Sequence, residues 1–196
     1  MNKAKLILFF VSMCLFSVSQ TKQKIKNKKL LFIVWTKDRK LKVNDFTLVK
    51  KKFKEGDYTG GTFADVQYNI QRFHDTVFVS IKCVFNTKLS WLNADDTTKA
   101  GLAHEQGHFD IGEYIVRKMR KDFLENYNPD KKINIERDLR KLRNKYINKK
   151  HKLNHRYDKE TNHSVNKLKQ KEWETTVIPS MLKEYESFEN AMILIN

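Results

Sequence analysis

The hydrophobic pattern of this chain changes its period once, near Trp91. Upstream of that residue, apolar and polar side chains alternate along two neighbouring runs, 64–71 and 77–85. Alternation is typical of a half-buried strand, and two such runs with a short polar break at His74-Asp75 predict an antiparallel hairpin with His74 in its turn. Downstream, apolar residues recur every three or four positions, which predicts helices. Strands followed by helices predict an α+β domain with an N-terminal antiparallel sheet and a helical C-terminal half.

Weaker patterns predict the other elements. Leu30 to Trp35 is a short apolar run that predicts a further strand. The polar residues Asp95 to Thr97 suit a helix start, and Asn128-Pro129 suits a helix end. Beyond that helix we expect a second helix over 131–152, a break around 154–158, a third helix over 159–179 and a last helical stretch within 181–196.

Residues 1–19 have the layout of a cleaved signal peptide. A short basic start precedes the apolar run from Leu6 to Val18, and the small residues of Ser17-Val18-Ser19 predict cleavage before Gln20. The run is too short to span a bilayer, and no later apolar run approaches spanning length. We therefore expect an exported protein, periplasmic or extracellular, without a transmembrane segment after cleavage. An uncleaved anchor is the alternative.

The rest of the chain fits one domain. The polar, basic stretch 20–29 is expected to be a leader, and 30–196 the single folded domain. Signal cleavage would leave Cys83 as the one cysteine, which excludes an internal disulfide. Because Cys83 falls on the apolar side of an alternating run, we expect it to be a small buried hydrophobe.

The formal net charge of +16 permits binding to nucleic acid or another polyanion. The basic residues are mostly lysines and are spread over the whole mature chain. Solvated surface lysines account for such a distribution, so we expect no specific nucleic-acid binding.

The sequence His104-Glu105-Gln106-Gly107-His108 lies within the first predicted helix. Its two histidines are one helical turn apart, so both imidazoles can reach one metal ion. Zinc suits neutral imidazole, and a catalytic zinc takes three protein ligands and a water. Glu105 would take a proton from the zinc-bound water and pass it to a leaving amine. The pattern therefore predicts hydrolysis of an amide bond in a peptide or protein substrate.

The third ligand must come from another segment. His151, His155 and His163 are candidates, and the stretch 157–163 holds Asp158 and Glu160 as well. The metzincin pattern requires a glycine three positions after the second motif histidine and a histidine six positions after it. Ile111 and Tyr114 occupy those positions, which excludes that class.

Three further residues have possible supporting roles. Asp110 and Asp158 can orient a ligand imidazole, and for Asp158 this role or that of helix N-cap is favoured over ligation. Tyr157 can donate a hydrogen bond to the oxyanion of a tetrahedral intermediate.

Several stretches of the chain resemble the bacterial domain of unknown function 922 family, exported proteins described as zinc-dependent proteases. The matching stretches are Trp35 through Phe46, Ser90-Trp91, His104 through Ile111, and Tyr157-Asp158 with Thr161 and His163. The resemblance implies a zincin-like fold, a bound Zn²⁺ and His163 as the third ligand. The family pattern has glycine after this histidine, where the present chain has Ser164.

These observations together predict an exported zinc metallopeptidase with Glu105 as its catalytic residue and His104, His108 and His163 as its metal ligands. A non-catalytic zinc-binding envelope protein that keeps the helical motif is the first alternative. A basic module that binds polyanions without metal is the second.

Overall fold

The computed structural model describes residues 6–7, 30–50, 60–95, 97–127 and 134–195. The predicted leader, the cleavage site and Pro129 lie outside the described residues. The described strands are β1 (Leu6–Ile7), β2 (Phe32–Val34), β3 (Thr47–Val49), β4 (Gly60–Gly61), β5 (Ala64–Phe73), β6 (Thr76–Asn86), β7 (Trp91–Asn93) and β8 (Met192–Ile195). The helices are α1 (Lys99–Asn126), α2 (Ile135–Thr161), α3 (Lys167–Glu172) and α4 (Ile178–Glu184). Strands dominate the first half and helices the second, which confirms the α+β class.

The predicted hairpin forms the centre of the larger sheet. β5 and β6 pair antiparallel along their whole length, from Ala64 opposite Phe85 to Phe73 opposite Thr76. His74 lies in the connecting turn with a positive φ of 50°, a conformation that turns accept. Alternate residues of β6, including Val79, Ile81 and Cys83, are buried against the helical layer. The alternation therefore predicted the hairpin, its turn and its buried face.

The C-terminal strand joins this sheet, so the last helical stretch predicted within 181–196 is confirmed only as far as Glu184 and is wrong for Met192–Ile195. β8 pairs antiparallel with the first half of β6, and β2 pairs with the end of β6 that follows. β1 pairs with the other edge of β8. A short apolar run suits a strand or a buried helix equally, and here pairing with β6 buries Ile193 and Ile195 in the core.

A second, three-stranded sheet lies beside the first in the described part of the chain, with the strand order β3-β7-β4. β7 pairs parallel with β3 and antiparallel with β4. This second sheet is therefore mixed, and the sequence patterns did not predict it. It brings the edge strand Gly60–Gly61 against α1.

Helix α1 crosses the sheets and carries the predicted motif. Its N-cap is Thr98, whose hydroxyl accepts a hydrogen bond from the Gly101 N–H at 3.0 Å. The cap therefore lies just beyond the predicted start at Asp95 to Thr97. The apolar stripe of α1, which includes Ile111, Ile115 and Met119, is buried as its spacing predicts.

Helix α2 is longer than predicted and has no break at 154–158. No glycine or proline interrupts it, and it continues to Thr161 before ending at Asn162 in the left-handed conformation. Asp158 therefore lies inside α2 and caps nothing; Asn166 is the N-cap of α3. Near the middle of α2, Arg143 binds Asp65 and the Val66 carbonyl, and so covers the edge of β5.

The last helical region is divided. The third helix predicted over 159–179 begins only at Lys167, after the turn that follows α2, and a π-helical turn over Trp173–Val177 separates α3 from α4. Trp173 and Ile178 bury their side chains with Ile111 and Tyr157 in a small second core between α1 and α2. Among the described residues, no helix combines the length and the apolar character needed to cross a bilayer.

Candidate metal centre

His104 and His108 lie one turn apart on α1, and their side chains converge. The Nε2 atoms of the two imidazoles are 3.2 Å apart, and the rings meet edge to face. His104 is buried, with 4% of its surface exposed. The helical spacing thus brings both imidazoles within reach of one metal ion, as the sequence predicted.

Asp158, on α2, supplies a carboxylate oxygen beside the two imidazole nitrogens. Its Oδ1 atom lies 3.2 Å from Nε2 of His104 and 2.9 Å from Nε2 of His108. All three ligand atoms lie within 4.8 Å of one another, an arrangement that can hold a metal ion. The continuous course of α2 makes this possible, because it directs Asp158 towards α1.

The three groups perturb one another electrostatically. Burial acts to raise the pKa of Asp158, but hydrogen bonds from His104 and His108 outweigh it and hold the pKa well below its ordinary value. Burial acts to lower the pKa of His108, but its hydrogen bond to Asp158 and the charge of Glu105 outweigh that effect and raise the pKa. Asp158 is therefore a carboxylate at neutral pH, the form that binds metal.

His163, the predicted third ligand, borders the same site. Its Nδ1 atom lies 3.7 Å from Oδ1 of Asp158, and its ring centroid is 6.0 Å from that of His104. Partial burial lowers the pKa of His163, which favours the neutral imidazole. Asn162, His163 and Ser164 all have positive φ, and this left-handed run turns the chain back over the site. Asp158 is thus nearer to the two motif histidines than His163, whose role as a ligand stays a prediction.

Glu105 lies beside the two histidines and is also buried, with 5% of its surface exposed. Its Oε2 atom has no hydrogen-bond partner among the described residues. The backbone of β4 passes so close that a Cβ atom on Gly60 would lie 2.8 Å from Oε1 of Glu105. The Thr62 hydroxyl donates to the Glu105 carbonyl at 3.1 Å and holds the two segments together. Glycine at position 60 therefore leaves the space that this carboxylate occupies.

These side chains open into a cavity of about 260 Å³. One wall is the start of α1, the second is β4 with Thr62, and the third is the end of α2 with the turn that follows it. The lining residues are Gly60, Gly61, Thr62, Gly101, His104, Glu105, His108, Asn154, Asp158, His163 and Ser164.

Tyr157 lies behind His104, away from the cavity lining. Its ring stacks on the His104 imidazole with centroids 4.6 Å apart and an interplanar angle of 14°. Its hydroxyl donates to the His104 carbonyl at 3.3 Å and accepts from Nε2 of Gln170 at 2.8 Å. Burial raises the pKa of Tyr157, so the hydroxyl stays protonated. This position suits support of the imidazole better than contact with a substrate oxyanion.

Asp110 also lies away from the cavity. It accepts hydrogen bonds from the Trp35 indole at 2.7 Å and from Gln106 at 2.8 Å. Burial raises the pKa of Asp110 against the opposing effect of these donors. Asp110 therefore ties α1 to the segment after β2.

Sequence reasoning missed Gly60, Asn154 and Gln170. Gly60 and Asn154 line the cavity, and Gln170 contacts His104 from behind. In the sequence, a Gly-Gly pair such as Gly60-Gly61 predicts only a turn, and Gln170 lies in a polar segment without a motif. Their proximity to the site follows from tertiary packing alone.

The segment that carries the site matches a family model. Residues 84–164 match the family described as "Bacterial protein of unknown function (DUF922)". This segment of the chain is therefore similar to that family. The matched segment contains all three members of the ligand group and also Glu105 and His163. No curated protein and no solved structure matches the chain significantly.

Proposed function

We propose that this protein is an exported zinc metallopeptidase that hydrolyses peptide bonds. The proposal depends chiefly on one observation: three ligand atoms from His104, His108 and Asp158 converge within 4.8 Å beside the buried carboxylate of Glu105. Oε2 of that carboxylate has no hydrogen-bond partner among the described residues, and burying such an oxygen is costly unless a water or a metal ion meets it.

The donor set fits zinc. Two imidazole nitrogens and one carboxylate oxygen, with an open cavity on one side, match the three protein ligands and the free position of a catalytic zinc site. A zinc ion held here would lower the pKa of a water molecule and polarise the carbonyl group of a substrate. His163 borders the site closely enough to act as a further ligand or to bind substrate.

Glu105 is the proposed proton carrier. Its carboxylate would accept the proton of the attacking water and donate it to the leaving amine. The contact between Gly60 and Glu105 restricts the carboxylate to the side of α1 that faces the cavity. Holding a base in one position is what general acid–base catalysis requires.

An extended peptide is the proposed substrate. β4 is an edge strand of the smaller sheet in the described part of the chain, and Gly60, Gly61 and Thr62 line the cavity. The backbone groups of an edge strand can pair with an added peptide strand. A peptide placed there would lie along the wall opposite Asp158.

The first experiment separates metal binding from catalysis. Zinc content by elemental analysis, and hydrolysis of a peptide library by mass spectrometry, are compared for the parent and Glu105→Gln. The isosteric amide cannot accept a proton, so the variant should keep about one zinc per chain and lose peptide cleavage at least 100-fold, the lower end of general-base contributions. Equal cleavage by both proteins would contradict the role of Glu105.

The ligands are tested with a matched set of variants. Asp158→Asn, His163→Ala and His155→Ala are compared for zinc affinity, with His155 as an exposed histidine of α2 outside the ligand group. Loss of affinity in Asp158→Asn, with parental affinity in His155→Ala, would support the group that the fold brings together. The His163→Ala variant shows whether the residue implied by family resemblance ligates as well. A parent that binds no zinc after reconstitution would exclude the metallopeptidase.

A further inference from the structure

His104 makes a buried polar contact on the side opposite to its proposed ligand atom. Its Nδ1 atom lies 3.1 Å from Oε1 of Gln170, and the Thr161 hydroxyl is 3.5 Å from the same nitrogen. Gln170 is the buried residue of α3, with 4% of its surface exposed. The amide nitrogen of Gln170 donates to the Tyr157 hydroxyl at 2.8 Å and to Oε1 of Glu174 at 2.6 Å.

The hydrogen-bond directions in this chain of contacts are determined by Glu174. An ionised carboxylate only accepts hydrogen bonds, so the amide NH₂ group of Gln170 must face Glu174. The amide oxygen of Gln170 then faces His104 and needs a donor, which Nδ1 supplies when it carries a proton. Nε2 faces His108 and Asp158, so with Nδ1 protonated towards Gln170 it is the atom left to bind a metal ion, and metal binding would displace any proton that Nε2 shares with Asp158.

The surrounding packing holds this arrangement in place. The indole of Trp173 donates to Oε2 of Glu160 at 2.8 Å, and its ring lies 5.0 Å from that of Tyr157. Gln170 and Glu174 flank this anchored tryptophan, and Glu174 belongs to the π-helical turn. Such turns occur often at functional sites, because they redirect side chains within a helix.

We propose that Gln170 and Glu174 are positioning residues that keep the proton of His104 on Nδ1 and so make Nε2 the metal-binding atom. Both residues lie beyond the segment that matches the family. The consequence for metal affinity rests on the proposed function, whereas the position of the proton does not. A histidine that binds a metal commonly donates the N–H of its second ring nitrogen to an acceptor group, and loss of that acceptor weakens metal binding about 10–100-fold.

The first test reads the proton directly in zinc-free protein. Nitrogen-15 NMR of the His104 ring is compared at one neutral pH for the parent, Glu174→Gln and Glu172→Gln. Glu172 is a matched control because its carboxylate pairs with Lys169. We expect a protonated Nδ1 in the parent and in Glu172→Gln. In Glu174→Gln a second amide lets Gln170 reverse, so that a substantial fraction of His104 should carry its proton on Nε2 alone. An unprotonated Nδ1 in the parent, or no change in Glu174→Gln, would overturn the proposal.

The second test measures zinc affinity by competition with a chromogenic chelator. Gln170→Leu should weaken zinc binding about 10–100-fold, as expected for loss of the acceptor. Gln170→Glu combined with Glu174→Gln exchanges the two side chains and again presents a carboxylate acceptor to His104, so we expect it to recover most of the parental affinity. Full affinity in Gln170→Leu, or no recovery in a folded exchanged variant, would refute the positioning role. A parent that binds no zinc but shows the expected Nδ1 proton would refute the proposed function and leave the proton assignment supported.

Discussion

Replacing Gly107 with alanine tests whether α1 and α2 pack as closely as the site requires. A Cβ atom at this position would lie 2.7 Å from Cζ and 3.0 Å from Cε1 of Tyr157, and closer still to its hydroxyl oxygen. Tyr157 is fully buried, and Trp173 packs against its ring from behind. The tyrosine therefore cannot move aside without disturbing its stacking on His104.

The magnitude follows from two opposing terms. Alanine gains up to about 1 kcal/mol over glycine in a helix interior. Overpacking of a buried contact costs about 1–3 kcal/mol, and the ring atoms here are at the unfavourable end because they are rigid. We expect a net loss of roughly 1–2 kcal/mol in the free energy of unfolding, or about 2–8 °C in the melting temperature of a chain of this size.

Gly101→Ala is the matched control on the same helix. A Cβ atom there would have the Thr98 hydroxyl at 3.2 Å as its only neighbour among the described residues, so we expect a change between zero and about 1 kcal/mol in the stabilising direction. Urea unfolding of zinc-free protein, followed by circular dichroism, measures both variants. Combining Gly107→Ala with Tyr157→Phe removes the hydroxyl oxygen, the atom nearest to the new Cβ. The double variant should therefore regain part of the unfolding free energy that Gly107→Ala loses. A Gly107→Ala protein as stable as the control would refute the close contact of Tyr157 with α1.

Three further predictions concern the candidate site and the hydrophobic core. Ser164→Gly should raise the unfolding free energy of zinc-free protein by about 0.5–1 kcal/mol. Ser164 has φ 72°, and a left-handed residue other than glycine costs about 1–2 kcal/mol, which the backbone entropy that glycine loses on folding partly offsets. An unchanged or lower unfolding free energy would contradict the strain at Ser164. Zinc at 100 times its dissociation constant should stabilise the parent by about 2.7 kcal/mol, seen as a higher melting temperature that excess chelator reverses. At the same zinc concentration Asp158→Asn should show a smaller rise in melting temperature. An equal rise would count against Asp158 as a ligand. Cys83 is buried, and desolvation is the chief cause that raises the pKa of its thiol. A thiol reagent should therefore modify Cys83 only after the protein unfolds, which mass spectrometry would detect. Rapid modification of the native protein would disprove the burial of Cys83.

Local patterns predicted some elements and failed on others for identifiable reasons. The alternation over 64–71 and 77–85 predicted the hairpin because one face of each strand is buried along its length. The C-terminal run Met192–Ile195 was wrongly expected to be helical, since only its pairing with β6 distinguishes a strand from a buried helical end. The break expected at 154–158 was also wrong. Residues 154–158 instead continue α2, with Tyr157 packed against α1.

The sequence by itself determined the paired histidines and Glu105, because residues one helical turn apart must share a face whatever surrounds the helix. Only the tertiary structure decided that Asp158 meets them and that Gln170 supports His104. Asp158 and Gln170 lie 54 and 66 positions from His104 along the chain, so their contacts depend on how α2 and α3 pack on α1. Such contacts follow from the burial of Tyr157 and Trp173 between those helices, a property of the packed molecule that no local spacing encodes.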